Sequence, residues 1–242
     1  TIKAHYPLTT DWTAKRYIGI DLAWDYTQRT LLTSMDGYID KALLQFQHQA
    51  PTLHHYAPSS HTLPVFGARV QLAKIDTAPP MTAAQTKYLE RVRGKFLYIA
   101  RTLDDSKMHA INDLASNKNT ATQTTQKELI KLLDYCASNP KPKKMYRASD
   151  MILAVDSDAA YLVASQARSR AGGFFYLTNK TNTLMNPSIA VTASIMRVVL
   201  SSASEAELGA LFLNARKALP MRQTLIELGH PQPPTRIKTD NS

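Results

Sequence analysis

Hydrophobic positions near the N-terminus alternate as in paired strands and then recur at helical spacing. Residues 16–25 are rich in β-forming side chains, and a second apolar run occupies residues 30–34 after a polar stretch, which predicts a β-hairpin. Beyond it, the apolar side chains Ile39, Leu43 and Phe46 lie three and four positions apart, which predicts a short helix.

The next segment, residues 50–82, has no regular pattern. It contains five prolines among serines, threonines and histidines, and this composition predicts a long connecting segment. His54, His55 and His61 invite a metal site as one interpretation. No carboxylate or cysteine stands near them at ligand spacing, so exposed loop histidines are the favoured alternative.

Helical periodicity returns in residues 82–102, 107–116 and 122–138, each with apolar side chains three and four apart. Asn139 and Pro140 stop the last of these helices. The basic stretch KPKKMYR, residues 141–147, follows. We interpret it as a solvated connector, with phosphate contact as the alternative.

The C-terminal third alternates strands and helices. Three β-rich runs, at residues 151–156, 172–178 and 188–193, are separated by polar turns. A helical stretch follows, with Ser202 or Ser204 available as its N-cap. Pro220 kinks or divides the helix, and the second part ends at Gly229. A short strand at 235–240 completes a β-β-β-α-α-β order.

Composition adds charge to this picture. The chain has 242 residues, a formal net charge of +10 and a pI near 9.6, which favours a polyanionic partner such as nucleic acid over a merely basic protein. Cys136 is the only cysteine, so any metal must bind to other ligands. With no signal peptide and no long apolar run, we expect an intracellular protein, cytoplasmic or nuclear, that is not secreted and contacts no membrane.

Three carboxylates are the candidate chemical site. Asp156 ends the first predicted strand of the C-terminal third, Glu207 lies one turn inside the helix, and Asp240 ends the last strand. If the last strand lies beside the first, all three converge on an oxygen-rich site of the kind that Mg²⁺ or Mn²⁺ prefers. Two such ions can support phosphodiester hydrolysis. Acidic residues also occur at strand ends and helix starts for turn and dipole reasons, and that alternative stays open.

Several motifs of the sequence, taken in order, resemble the Pol polyprotein of copia-type retrotransposons. The motifs similar to ribonuclease H are DSDAAYL at 156–162, ARSRAGGFFYL at 167–177, SSASEAELGAL at 201–211 and IKTDNS at 237–242. An upstream segment, KRYIGIDLAWDYTQRTLLTSMDGYIDKALLQF, is similar to the hairpin and helix that follow the polymerase palm. Two further segments, VRGKFLYIARTLDDSKMHAINDLA and ELIKLLDYCASNP, are similar to the thumb and connection.

This resemblance implies a ribonuclease H-like mixed sheet preceded by reverse transcriptase elements. The implied divisions are residues 1–49, the post-palm hairpin and helix; 50–82, the connecting segment; 83–147, the helical thumb and connection; and 148–242, a ribonuclease H-like domain that we expect to be C-terminally incomplete. It also implies metal binding by Asp156, Glu207 and Asp240 and hydrolysis of the RNA strand of RNA–DNA hybrids.

The sequence departs from the family at several points. No Tyr-x-Asp-Asp motif, which would carry the catalytic aspartates of the polymerase, occurs, so we expect no DNA synthesis. A fourth acidic metal ligand is missing, which would leave a two-metal site incomplete, and the family's Asp-Ala-Asp-Trp reads Asp-Ser-Asp-Ala here. Asp158 and Glu205 are competing ligands. Glu205 stands about 200° round the helix from Glu207 and suits the helix N-terminus, and Asp158 is interpreted as supporting or solvated.

Basic and aromatic side chains supply candidate substrate contacts. Arg168, Arg170, Lys217 and Arg222 can reach phosphates or serve as plain surface charges. Aromatic side chains of the first hairpin, Tyr17 and Trp24, can stack under a nucleic-acid strand or pack within the hairpin. The leading hypothesis is a hybrid-specific endonuclease that works with the rest of the Pol polyprotein. The alternatives are a catalytically inactive nucleic-acid-binding fragment and a domesticated remnant with another partner.

Overall fold

A computed structural model describes residues 4–7, 10–60, 76–116, 120–164 and 167–240. Within these ranges the protein has a mixed α+β fold with two four-stranded sheets and five α-helices. The coarse fold class therefore agrees with the prediction from the sequence. His61 and the last two residues of the IKTDNS motif lie outside the described residues.

The first sheet is antiparallel throughout. Its strands are β1 (Arg16–Tyr17), β2 (Ile20–Asp25), β3 (Thr30–Ser34) and β4 (Lys143–Arg147), in that spatial order. The predicted hairpin is present as β2 and β3. Gly19, with a φ of +88°, makes the tight turn that adds β1 to its edge.

The basic stretch 141–147 is not a solvated connector, and that prediction is wrong. Its residues form β4, which pairs along the whole length of β3. Lys144 is buried, with its Nζ 2.8 Å from both Asp105 Oδ1 and Ser188 Oγ. Because the side chains of a strand alternate between its two faces, one lysine of this stretch is buried while its basic neighbours are exposed. The number of charges alone does not distinguish such a strand from a solvated linker.

Four helices build the largest hydrophobic core. They are α1 (Tyr38–Gln45), α2 (Ala83–Thr102), α3 (Met108–Ser116) and α4 (Gln123–Ser138), with a 3-10 turn at Asp105–Lys107. All four predicted helices are confirmed to within about a residue at each end. Thr82 and Thr122 cap α2 and α4, each in a reciprocal capping box with the residue three positions later, which fixes where these helices begin.

The second sheet has the spatial order β7-β6-β5-β8. Its strands are β5 (Ile152–Ala164), β6 (Arg168–Thr178), β7 (Ser188–Ile195) and β8 (Arg236–Lys238). Neighbours pair antiparallel except β5 and β8, which are parallel. Strand β5 extends well past residue 156, where we expected it to end, and this difference decides the geometry of the site.

One helix, α5 (Ala203–Glu227), packs across β5 and β6. We predicted two helices divided or kinked at Pro220, but α5 runs through this residue, so the order is β-β-β-α-β. Pro220 has no N–H to donate to the carbonyl of Arg216, and both residues are exposed, so that carbonyl can bind solvent instead. Ala218 and Leu225, on either side of it, pack into the same apolar cluster against the sheet.

Candidate metal site

Three carboxylates from separate elements of the second sheet and its helix meet at one end of the sheet. Asp158 lies in β5, Glu207 in α5, and Asp240 two residues beyond β8. One carboxylate oxygen from each lies within 4.8 Å of those of the other two. Asp158 and Asp240 are exposed and Glu207 is half-buried. This carboxylate cluster can hold a metal ion.

The register of the parallel pair explains why these three carboxylates meet. Strand β8 pairs with β5 so that Lys238 lies opposite Asp156. Asp240 and Asp158 each lie two residues beyond this pair, and because the two strands run parallel, Asp240 lies beside Asp158. We expected β5 to end at Asp156, and that boundary placed the wrong aspartate beside Asp240.

Asp156 is not a member of the carboxylate cluster. It lies one strand pleat away, next to Tyr176, whose pKa is raised by burial and by the neighbouring negative charge of Asp156. Oxygen Oδ1 of Asp156 is buried and has no hydrogen-bond partner in the described structure. The structure thus puts Asp158, which we interpreted as supporting or solvated, in the position predicted for Asp156.

Glu207 joins the cluster through the open edge of β5. Beyond Lys238, β8 no longer pairs with β5, and Glu207 Oε1 accepts a hydrogen bond of 3.1 Å from the Ala159 amide at this edge. Thr239 Oγ1 donates to Glu207 Oε2 at 3.4 Å. Burial raises the pKa of Glu207 above its ordinary value, and the charges of the two aspartates raise it further.

A buried amide fixes the distance between α5 and the sheet. Asn214 is completely buried and donates from Nδ2 to Ser157 Oγ at 2.9 Å and to the Gly172 carbonyl at 2.7 Å. Gly173 faces it so closely that an added Cβ would lie 2.3 Å from Asn214 Oδ1. The contact holds Glu207, two helical turns earlier, in position over the middle of β5.

The other predicted ligand candidate in α5, Glu205, has a different role. It lies in the first turn, as predicted, where its Oε2 accepts hydrogen bonds from the backbone amide and the hydroxyl of Ser201. The Ser201 hydroxyl lowers the pKa of Glu205. Ser202 is the N-cap and accepts from the Glu205 amide at 3.1 Å.

Three of the four predicted phosphate contacts are engaged within the fold. Arg170 is buried and forms an ion pair of 2.8 Å with Asp113 of α3. Lys217 donates to a carbonyl and a hydroxyl of β7, and Arg222 donates to two carbonyls of the segment before β8. Arg168 is half-buried and also has an interaction partner. These side chains therefore tie elements together.

The two aromatic side chains that we considered for stacking on nucleic acid lie in the first sheet. Tyr17 is exposed, and Trp24 is partly exposed with its ring stacked on Tyr26, 6.1 Å between centroids, and its Nε1 donating to the Ala14 carbonyl at 2.9 Å. Trp24 thus packs within the hairpin region while part of its ring stays open to solvent.

The histidines of the connecting segment do not form a metal site in the part of the chain that the structure describes. His54 is exposed, whereas His55 packs against α4 with Nε2 3.9 Å from Asp134 Oδ2. His48 hydrogen-bonds to the other oxygen of Asp134 at 2.9 Å. Among the described residues, only the carboxylate cluster brings three ligating side chains within 4.8 Å of one another.

Comparisons with family models, with curated proteins and with solved structures gave no match for this chain. The search for membrane-spanning helices, made over the described residues, found none of sufficient length and apolarity.

Proposed function

We propose that this chain is a ribonuclease H-type endonuclease derived from a copia-type retrotransposon Pol polyprotein, and that it hydrolyses the RNA strand of RNA–DNA hybrids. The observation that carries the proposal is the convergence of Asp158, Glu207 and Asp240 from β5, α5 and β8. The resemblance of the sequence motifs implied a metal site of this kind, but with Asp156 in the place of Asp158.

The donor set of the cluster fits Mg²⁺ or Mn²⁺. All three groups are carboxylates, and hard divalent cations prefer oxygen ligands. The raised pKa of Glu207 reflects burial and two acidic neighbours, so a bound cation would relieve repulsion that the metal-free site contains. When bound, such an ion polarises phosphoryl oxygens and lowers the pKa of a water ligand, which is the chemistry that phosphodiester hydrolysis requires.

The protein side of the site is preorganised by short-range contacts. Glu207 is held by the Ala159 amide and by Thr239, and both contacts leave its carboxylate directed at the two aspartates. Substrate recognition would follow the general rule for hybrids, which are held by helix shape, backbone and 2′-hydroxyl groups rather than by base sequence. The net charge of +10 supports binding of such a polyanion.

The test is cleavage of an end-labelled RNA–DNA hybrid in Mg²⁺ and in Mn²⁺, with duplex DNA and single-stranded RNA as controls. We expect hybrid-specific cleavage that EDTA abolishes and that Asp158→Asn reduces by at least about 100-fold, since loss of groups that only orient a metal ligand already costs about 10–100-fold. Cleavage that is equally fast in the Asp158→Asn protein would falsify the proposal. Strong hybrid binding without any cleavage would favour the inactive nucleic-acid-binding fragment instead.

A further inference from the structure

A second concave site lies at the start of β5, whereas the carboxylate cluster lies at the middle of that strand. It is a cavity of about 420 Å³ between the start of β5, the turn after β6 and the segment that leads into β8. Two basic side chains, Lys180 and Arg236, line it together with Asn182, Thr235 and Pro234. Both basic side chains are exposed, so this cavity opens to solvent beside two positive charges.

The cavity wall contains polar atoms that lack partners. Oδ1 of Asn182 and Oγ1 of Thr235 are buried and make no hydrogen bond within the described structure. A buried polar group without a partner is destabilising. The Thr235 hydroxyl can donate to an anionic ligand after a small shift of the wall, whereas Asn182 Oδ1 only accepts hydrogen bonds.

The cavity and the carboxylate cluster are aligned along the parallel strand pair. Ile237 packs toward the apolar cluster under α5, so Arg236 and Lys238 point to the other face of the sheet. Asp240 lies four positions beyond Arg236, and Asp158 lies four positions beyond Ala154, the partner of Arg236 in β5. At about 3.3 Å per residue this places the cavity roughly 13 Å from the cluster.

We propose that Lys180 and Arg236 bind a backbone phosphate of the same nucleic acid whose chain is cleaved at the carboxylate cluster. The inference rests on the proposed function and adds a second anchoring point to it. A nucleic-acid strand carries one phosphate per roughly 3.4 Å of helix axis, so the bound phosphate lies about four nucleotides from the scissile one. Arginine and lysine are the side chains that most often make such positioning contacts.

The test measures hybrid binding without cleavage, by fluorescence anisotropy in EDTA over a range of salt concentrations. The variant is Lys180→Gln with Arg236→Gln. Its control removes two exposed lysines far from the cavity, Lys87→Gln with Lys127→Gln. We expect the slope of log K against log salt to fall by about 0.7–0.9 in the cavity variant, the value for one lost phosphate contact, and to stay unchanged in the control.

A charge-preserving pair, Lys180→Arg with Arg236→Lys, separates charge from packing and should keep the wild-type slope. Shortening the hybrid on one side to fewer than about four base pairs from the cleavage position should weaken wild-type binding but leave the Gln variant unaffected. Excess inorganic phosphate that fills the cavity without competing with hybrid would point to a free-anion site. Equal slopes in the cavity variant and in the wild-type protein would overturn the inference.

These outcomes are distinct from a failure of the proposed function. Binding is measured without divalent metal, whereas the proposed function is judged by metal-dependent cleavage and by Asp158→Asn. A protein that cleaves hybrids with normal salt dependence in the Gln variant would keep the proposed function and lose the anchoring site. A protein that binds no hybrid in EDTA at any salt concentration would lose the anchoring site alone.

Discussion

Replacing Asp158 with Asn should stabilise the metal-free protein and abolish metal binding at the same time. Two carboxylate charges at the 4.8 Å limit of the cluster repel by about 0.9 kcal/mol in a water-like dielectric and by about 3.5 kcal/mol at an effective dielectric of 20. Because Asp158 and Asp240 are exposed, the lower figure applies. Removing one charge eliminates two such pairs, so we expect a gain of about 1–2 kcal/mol at low salt.

Thermal unfolding measures both effects in one experiment. For a chain of this length a change of 1 kcal/mol shifts Tm by about 2–4 °C, so Asp158→Asn should raise the Tm measured in EDTA by a few degrees. Mg²⁺ at ten times its Kd should stabilise the wild-type protein by about 1.4 kcal/mol, or roughly 3–6 °C. The Asn variant should show no metal-dependent shift.

Asp156→Asn is the matched control, because it removes the same charge from the same strand one pleat away. It should leave the Mg²⁺-dependent shift of Tm intact. If Asp156→Asn abolished the metal shift while Asp158→Asn preserved it, the register argument that places Asp240 level with Asp158 would be refuted.

Three further results follow from the same contacts. Because the pKa of Glu207 is raised above its ordinary 4.5, the folded state holds this proton more tightly than the unfolded state. The resulting contribution to stability is present at low pH and is lost as pH rises through the raised pKa. The affinity for Mg²⁺, measured by titration at several pH values, should increase over the same pH window. Gly173→Ala should destabilise the fold by about 1–3 kcal/mol in denaturant unfolding, because its Cβ overlaps Asn214, and Asn214→Ala should recover part of that loss in the double variant. Burial raises the pKa of Cys136 to about 12, so a thiol reagent at pH 8 should react with this side chain only after unfolding.

Helix boundaries were predictable because their signals are local. Thr82 and Thr122 precede apolar periodic stretches, and each accepts a hydrogen bond from the amide three residues later. A capping side chain and a 3.6-residue period are both visible within one short window of sequence. The same locality made the β2 and β3 hairpin recognisable from two apolar runs and a short turn.

Strand pairing between distant segments was less accessible. Strand β4 pairs with β3 across more than a hundred residues, and its buried Lys144 depends on Asp105 and Ser188, which come from two other elements. No window around residues 141–147 contains that information. The length of β5 was missed for a related reason, since Asp156 and Asp158 are strongly polar residues in the middle of the strand, and strands are ordinarily poor in aspartate.

The order in which contacts fix the three carboxylates indicates what a bound metal would do for the structure. Glu207 and Asp158 belong to long elements that Asn214 joins directly through Ser157. Asp240, by contrast, follows a strand held by only three paired residues, so it is the least constrained of the three. A divalent ion bound by all three carboxylates would connect β8 to both α5 and β5, and its binding energy would therefore also stabilise the edge of the second sheet. The proposed chemistry and the stability of that edge should consequently depend on the same side chains.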